Sequence, residues 1–244
     1  MAWRDSINLF SLFIDKEVVL YNDKAKITLL APTVRSLYEK ANLSLVVNFM
    51  RREFADMEKL FKIWKPNSMF EILKLLMNEA GQYREFIGYK QGILEGLQDL
   101  FVDPVILDNL GNLWIGEVLL DEELYKYIVY VVRRLSGEKI EPPKVFKSKE
   151  EEEYFKMMEA NEAKIRKIRQ QSNRQEGQDV EMKMMLYIQY AFPQYTIDYL
   201  ADQTFFQLIW LQQKAIKAIN YEVEAKAYAA GNMKKKLKFF LEDK

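Results

Sequence analysis

Residues Glu17–Thr33 read EVVLYNDKAKITLLAPT, and this stretch decides that the chain is not all helix. Glu17 to Tyr21 and Lys26 to Leu30 are rich in β-branched and aromatic residues. Asn22-Asp23-Lys24 between them supplies turn chemistry, so the pair predicts a β-hairpin. Pro32 ends the second run. Thr33 follows with a hydroxyl suited to capping a helix N-terminus, so helix is expected next.

Working outward, Leu43 to Trp64 reads as one longer helix. Val46, Val47, Met50, Phe54, Met57, Leu60, Phe61 and Trp64 recur at spacings of 3, 4 and 7, which puts them on one face. Lys65-Pro66-Asn67 stops it, and Ser68-Met69-Phe70-Glu71 fits a capping box for a helix to about Glu79. Past Pro104, Val105 to Leu107 and Leu113 to Ile115 flank the turn-rich Asp108-Asn109-Leu110-Gly111-Asn112, which predicts a second hairpin. Asp121 then opens a helix with Glu122 and Glu123 in its first turn and Arg133 and Arg134 in its last, both matched to the helix dipole. Leu124, Ile128, Val131, Val132 and Leu135 form its apolar stripe, and Gly137 ends it.

Composition changes at Gly137. Residues 138–179 carry Pro142-Pro143, the acidic run Glu150 to Glu153 and the basic Lys164 to Arg169, with few apolar residues from Asn161 to Asp179. This reads as a charged connector, either a linker or an exposed charged helix. A helical block resumes over 180–244: Val180 to Ala191, a break at Phe192-Pro193, a short helix over Thr196 to Leu200, and a long helix capped by Asp202 and reaching Ala230. Phe205, Leu208, Ile209, Gln212, Ile216, Ile219 and Val223 follow its inner face. The expected fold is α+β and predominantly α-helical, with two short β-hairpins in a core of residues 1–137, a charged connector over 138–179, and a C-terminal helical block with one long helix.

The 244-residue chain has no histidine and no cysteine. Histidine is the side chain whose ordinary pKa lies near neutrality, and its absence with that of cysteine excludes Ser–His–Asp and Cys–His catalysis, thiolate nucleophiles and Cys/His zinc sites. Carboxylates remain, with Asp99, Asp103 and Asp108 close in sequence and Asp121, Glu122 and Glu123 adjacent. Turn and capping roles explain Asp108 and Asp121, and no Asp-x-Asp-x-Asp-Gly calcium loop exists. No catalytic residue, metal site or cofactor is expected. Gly88, Gly92 and Gly96 repeat at four-residue spacing without the Gly-x-Gly or Lys-Ser/Thr signature of a nucleotide loop. On a helix they share a face, which points to close backbone packing; Gly81 precedes them.

Thirty-six basic residues balance thirty-six acidic ones, which gives no electrostatic case for nucleic acid and permits self-association, so a homo-oligomer is open. The basic tail Lys234 to Lys238, with Phe239 and Phe240, is short and is followed by Glu242 and Asp243. It reads as a solvated end. No apolar run approaches the ~20 residues of a membrane span. Leu9 to Ile14 is bracketed by Asp5 and Asp15 without a cleavage site, so neither a membrane span nor a signal peptide is expected. Asn42-Leu43-Ser44 then reads as a chance match to the glycosylation triplet. The methionines Met157, Met158, Met182, Met184 and Met185 suit adaptable contacts, in the core or with a partner.

The order of elements resembles the tail assembly chaperones of long-tailed phages of Gram-positive bacteria. The resemblance is carried by the early hairpin ending in Pro32-Thr33, the second hairpin with Ile115-Gly116-Glu117-Val118-Leu119-Leu120-Asp121, then Tyr125 and Ile128. A charged arm around Asn161 to Lys164 follows, and a helical end built on Thr204-Phe205-Phe206-Gln207. It implies a non-enzymatic protein that binds the tape measure protein and the tail tube protein, acts in the host cytoplasm and leaves before the virion is finished. A structural or scaffold protein retained in the particle, a metal-dependent hydrolase using Asp and Glu, and a nucleic-acid adaptor using the Lys-rich end are the alternatives. Phe205, Leu208, Ile209, Ile216 and Ile219, with Met182 and Met185, are the candidate partner-binding residues. The same apolar face would also serve to pack on the core.

Overall fold

The computed structural model describes residues 3–5, 16–61, 63–78, 83–138 and 180–230. Beyond Glu138, the expected charged connector lies outside the described residues, as do Gly81, Met157, Met158 and the basic tail Lys234 to Lys238. The class is the expected one, α+β and mainly helical, and among the described residues the strands lie in the N-terminal half.

Strands β1 (Arg4–Asp5), β2 (Glu17–Tyr21) and β3 (Lys26–Leu30) form an antiparallel sheet in that order. The hairpin pairs Glu17 with Leu30 and Tyr21 with Lys26. Its turn is closed by Asn22, whose side-chain oxygen accepts from the backbone N–H groups of Lys24 (2.9 Å) and Ala25 (2.8 Å). Alternation does the rest: Val18, Leu20, Ile27 and Leu29 are buried on one face. Strand β1 was not legible, because two residues carry no period. It is fixed from outside by the Tyr127 hydroxyl, which donates to Asp5 at 2.9 Å.

Thr33 caps α1 (Val34–Glu39) through a capping box with Ser36. Next comes α2 (Ala41–Arg51). The single helix expected over Leu43 to Trp64 is broken: the chain is extended at Arg52, then forms α3 (Phe54–Met57) and a 3-10 turn, Glu58–Leu60. The periodic residues continue across the break because both pieces face the same core, except Leu60, which the 3-10 turn leaves exposed. The reversal brings Phe61 onto Phe86, 5.4 Å between ring centroids. Helix α4 (Met69–Met77) is capped by Ser68, while Glu71 reaches back to the N–H of Asn67 at 2.6 Å, one residue earlier than a capping box places it.

Helix α5 (Arg84–Leu100) packs along α2. The expected glycine face is real at two of its three positions. A Cβ on Gly96 would run into the backbone carbonyl of Asn42, and one on Gly92 would meet Leu45 Cδ2 at 2.8 Å, whereas Gly88 faces open space. Lys40 pairs with Asp99 across this contact at 2.7 Å.

The second sheet is β4 (Val105–Leu107), β5 (Leu113–Ile115) and β6 (Val118–Leu119), antiparallel in that order. The hairpin is as expected, and the two-residue β6 is an addition. Asp108 closes the turn. Its carboxylate accepts from Trp114 Nε1 (3.0 Å), the N–H groups of Leu110 (2.9 Å) and Asn112 (2.8 Å), and Asn112 Nδ2 (3.1 Å). These donors, the indole first, hold Asp108 down to about 2 from its ordinary 3.8. The folded pKa lies below the unfolded one, so this stabilisation is complete above pH ~4 and is lost as pH falls through about 2. The Trp114 indole N–H resonance should therefore titrate with a midpoint near 2. A midpoint at the ordinary carboxylate value would show that the indole bond is not made.

Helix α6 (Glu122–Leu135) starts on the Asp121 cap and ends at Gly137, which has φ +80°. The five expected stripe residues are all buried. Tyr125 is buried with them against Phe70, and its hydroxyl has no hydrogen-bond partner among the described residues. Such an orphan group is a net cost. Tyr125→Phe should raise stability by about 1 kcal/mol in urea unfolding. An equal loss would mean that the hydroxyl is bonded.

Candidate functional site

The C-terminal block consists of α7 (Val180–Ala191), α8 (Ile197–Ala201) and α9 (Phe205–Ala229). Thr196 caps α8, and Thr204 caps α9 through a capping box with Gln207. The cap expected from Asp202 is thus corrected by two residues. Asp202 instead closes the C-terminus of α8 and turns its carboxylate to Arg35 Nε at 2.7 Å. A Thr-x-x-Gln box satisfies two end groups of the helix where a lone Asp satisfies one, and the Thr204 site is buried.

The block has its own small core: Met184, Met185, Ile188, Leu200, Leu208, Leu211 and Ala215, joined by Val34 from α1. It is docked on the N-terminal unit through a seam of two helix starts. Thr33 and Thr204, the caps of α1 and α9, form an antiparallel bridge, and the N–H of Val34 donates to the carbonyl of Gln203 at 3.0 Å. Arg35 spans to Asp198 (3.1 Å) and Asp202. Phe206 packs on the N-terminal core, and Ile209 fills the space above Gly137 that a Cβ would take. Gln203, Thr204 and Gln207 are buried polar residues of this seam. Gln203 Nε2 donates to the Tyr199 carbonyl at 2.9 Å, while Gln203 Oε1 and Gln207 Nε2 have no hydrogen-bond partner among the described residues.

The candidate partner residues divide into three groups. Leu208 and Met185 are interior and present no surface. Phe205 and Ile209 are half-buried against the block's own core. Ile216 and Met182 are exposed, with Ile219 half-buried between Ile216 and the exposed Val223. The buried line of α9 ends at Ala215. Two and three turns further on, the same face carries Glu222 and Lys226, paired at 2.6 Å in solvent. The far half of the helix, about 20 Å at 1.5 Å per residue, therefore carries its apolar residues on the surface.

On α7, Met182, Leu186 and Tyr190 stand one above another at four-residue spacing, all exposed, with Tyr190 at 76%. Leu186, Tyr187 and Tyr190 were missed as candidates. The four-residue spacing was present in the sequence, but Met184, Met185 and Ile188 make the opposite face of α7 apolar too, so nothing local said which face is outside.

Asp99, Asp103, Asp108, Asp121 and Glu122 have structural partners. Asp103 accepts from the N–H of Thr28 at 3.1 Å, Asp121 caps α6, and Glu122 pairs with Lys126 at 2.9 Å. Among the described residues no group of three or more acidic side chains is placed to hold a metal ion. No helix among them is long and apolar enough to cross a membrane. Compared with known proteins, the chain yields no significant match to a family model, to a curated protein or to a solved structure.

Proposed function

We propose that the protein is a non-enzymatic tail assembly chaperone of a long-tailed phage, holding the tape measure protein while tail tube subunits assemble around it. The supporting observation is the exposed ridge of Met182, Leu186 and Tyr190 on α7, with Ile216 and Val223 on α9. These side chains sit on a block whose own core and seam fix its helices, so their exposure does not depend on unfolding. Methionine, leucine and tyrosine offer adaptable contact area without a single demanded geometry, which suits a long helical client. The whole-chain resemblance supplies the identity of that client. On this reading the protein works in the host cytoplasm and is absent from finished virions.

The test is co-expression with the tape measure protein. The chain should keep that protein soluble, and Leu186→Glu combined with Val223→Glu should return it to the pellet while leaving the circular-dichroism melt unchanged, since both side chains are exposed. Unchanged client solubility with and without the chain would sink the reading. Stoichiometric amounts of the protein in purified virions would replace it with a structural role.

A further inference from the structure

A second apolar face lies on the sheet of β4, β5 and β6, and its contiguity follows from the strand register. Ile106 pairs with Trp114, and Trp114 pairs with Leu119, so the three side chains form one row across the three strands. Leu113 and Ile115, on either side of Trp114, point the other way and are buried in the N-terminal core. The row faces solvent: Ile106 is 52% exposed, Leu119 43%, and Trp114 is half-buried.

The charges flanking the row are placed by the same strands. At one end the N–H of Asp108 donates to the carbonyl of Asn112 at 2.9 Å, and the Asp108 carboxylate holds the Trp114 indole. At the other end Glu117 stands exposed in the turn between β5 and β6. Asp103 lies beside that turn, since a Cβ on Gly116 would touch its Cβ at 3.4 Å. No Lys or Arg occurs between Lys90 and Lys126, and Lys126 is taken up by Glu122 at 2.9 Å. The bridge between Leu29 and Phe101 brings β3 alongside, and β3 contributes Lys26. Residues 101–120 and β3 together therefore set Asp103, Asp108 and Glu117 against that one ammonium group, and the face is acidic.

We propose that this face docks a cationic amphipathic helix of another protein, its apolar stripe on Ile106, Trp114 and Leu119 and its Lys or Arg flanks toward Asp108 and Glu117. The dimensions match. The row spans two strand spacings, about 10 Å, which a helix covers in about seven residues. From Asn112 to Gly116 the chain runs about 13 Å, room for one helix between the two acidic ends. Charge excludes the other occupants. Nucleic acid would bring phosphates against Asp108 and Glu117, even where Trp114 offered a base a stacking face. A second copy meeting through the same face would set these carboxylates against their own kind. An added strand is opposed at β4, where the N–H of Val105 already donates to Gln98 Oε1 at 2.9 Å. The face shares no element with the α7–α9 ridge and does not depend on the chaperone reading.

The test uses the full chain and a fluorescein-labelled peptide of about 18 residues, about five helical turns, with Leu at helical spacing and Lys elsewhere. The same peptide with Glu for Lys and a labelled oligothymidylate of similar length are the comparisons. The basic peptide should bind about tenfold or more tightly than the acidic one, weaken as salt rises, and shift the Trp114 indole N–H resonance. Glu117→Lys should reduce that preference several-fold, and Ile106→Thr with Leu119→Thr should weaken binding, without a change in melting temperature. The Leu186→Glu, Val223→Glu variant should show the same Trp114 shift as the unsubstituted chain, which separates failure here from failure of the chaperone reading. Equal binding of the two peptides, no binding of either, a Trp114 resonance unmoved at saturation, an unaffected Glu117→Lys variant, or tighter binding of the oligothymidylate would overturn the proposal.

Discussion

Gly96→Ala should destabilise the protein by about 3 kcal/mol or more, as overpacking against immobile atoms does. The added Cβ runs into the backbone carbonyl of Asn42 and sits 2.7 Å from Val46 Cγ2. A backbone carbonyl inside α2 cannot move aside without parting the two helices. Gly88→Ala on the same helix should do the opposite and gain up to about 1 kcal/mol, because nothing lies near it and alanine is the better helix former. Gly92→Ala should fall between, since the atoms it meets are the ends of the Leu45 and Asn42 side chains. Urea midpoints followed by circular dichroism give the three values. A Gly96→Ala midpoint equal to that of Gly88→Ala would refute the close approach of α2 and α5.

Val34→Asp should cost about 4 kcal/mol locally, the penalty of an unpaired charge in an apolar interior. Val34 belongs to the N-terminal unit by sequence but is buried in the core of the C-terminal block. The N-terminal core is assembled from residues between Trp3 and Leu135, and among the described residues Phe206 alone joins it from the block. The expected result is therefore undocking. Hydrogen exchange should speed up throughout α8 and the first turns of α9 and stay slow in α2 and α6. Arg35→Ala should produce a much smaller change, because its pairs with Asp198 and Asp202 are half in solvent. Uniform loss of protection over the whole chain would show one cooperative unit and refute the modular reading.

The contrast between these variants shows what could be read from residues alone. The hairpin at Glu17–Leu30, the Asp108 turn, the Asp121 and Thr33 caps and the stripe of α6 are written within a few positions of one another, and each was legible. Short strands such as β1 and β6 were not, since two residues are too few for a period and their pairing is set by distant neighbours. The break after Arg51 was hidden for a related reason. An apolar repeat continues through a bend when both arms face one core, so periodicity reports the core and not the straightness of the helix.

The candidate surface was legible only in outline. The sequence located a long amphipathic helix over the right residues and named Ile216 and Met182, which are exposed, beside Leu208 and Met185, which are not. On its own the sequence determined the class of fold, the helix starts at Thr33, Ser68 and Asp121, and the absence of histidine and cysteine chemistry, because caps, turns and composition are local properties of the chain. The tertiary structure decided that Thr33 meets Thr204, that Gly137 receives Ile209, and that the line of Leu208, Leu211 and Ala215 turns inward while Ile216 and Val223 stay out. Those outcomes depend on which far-off surface a helix finds. An apolar stripe broad enough to fit several partners does not carry that choice within itself.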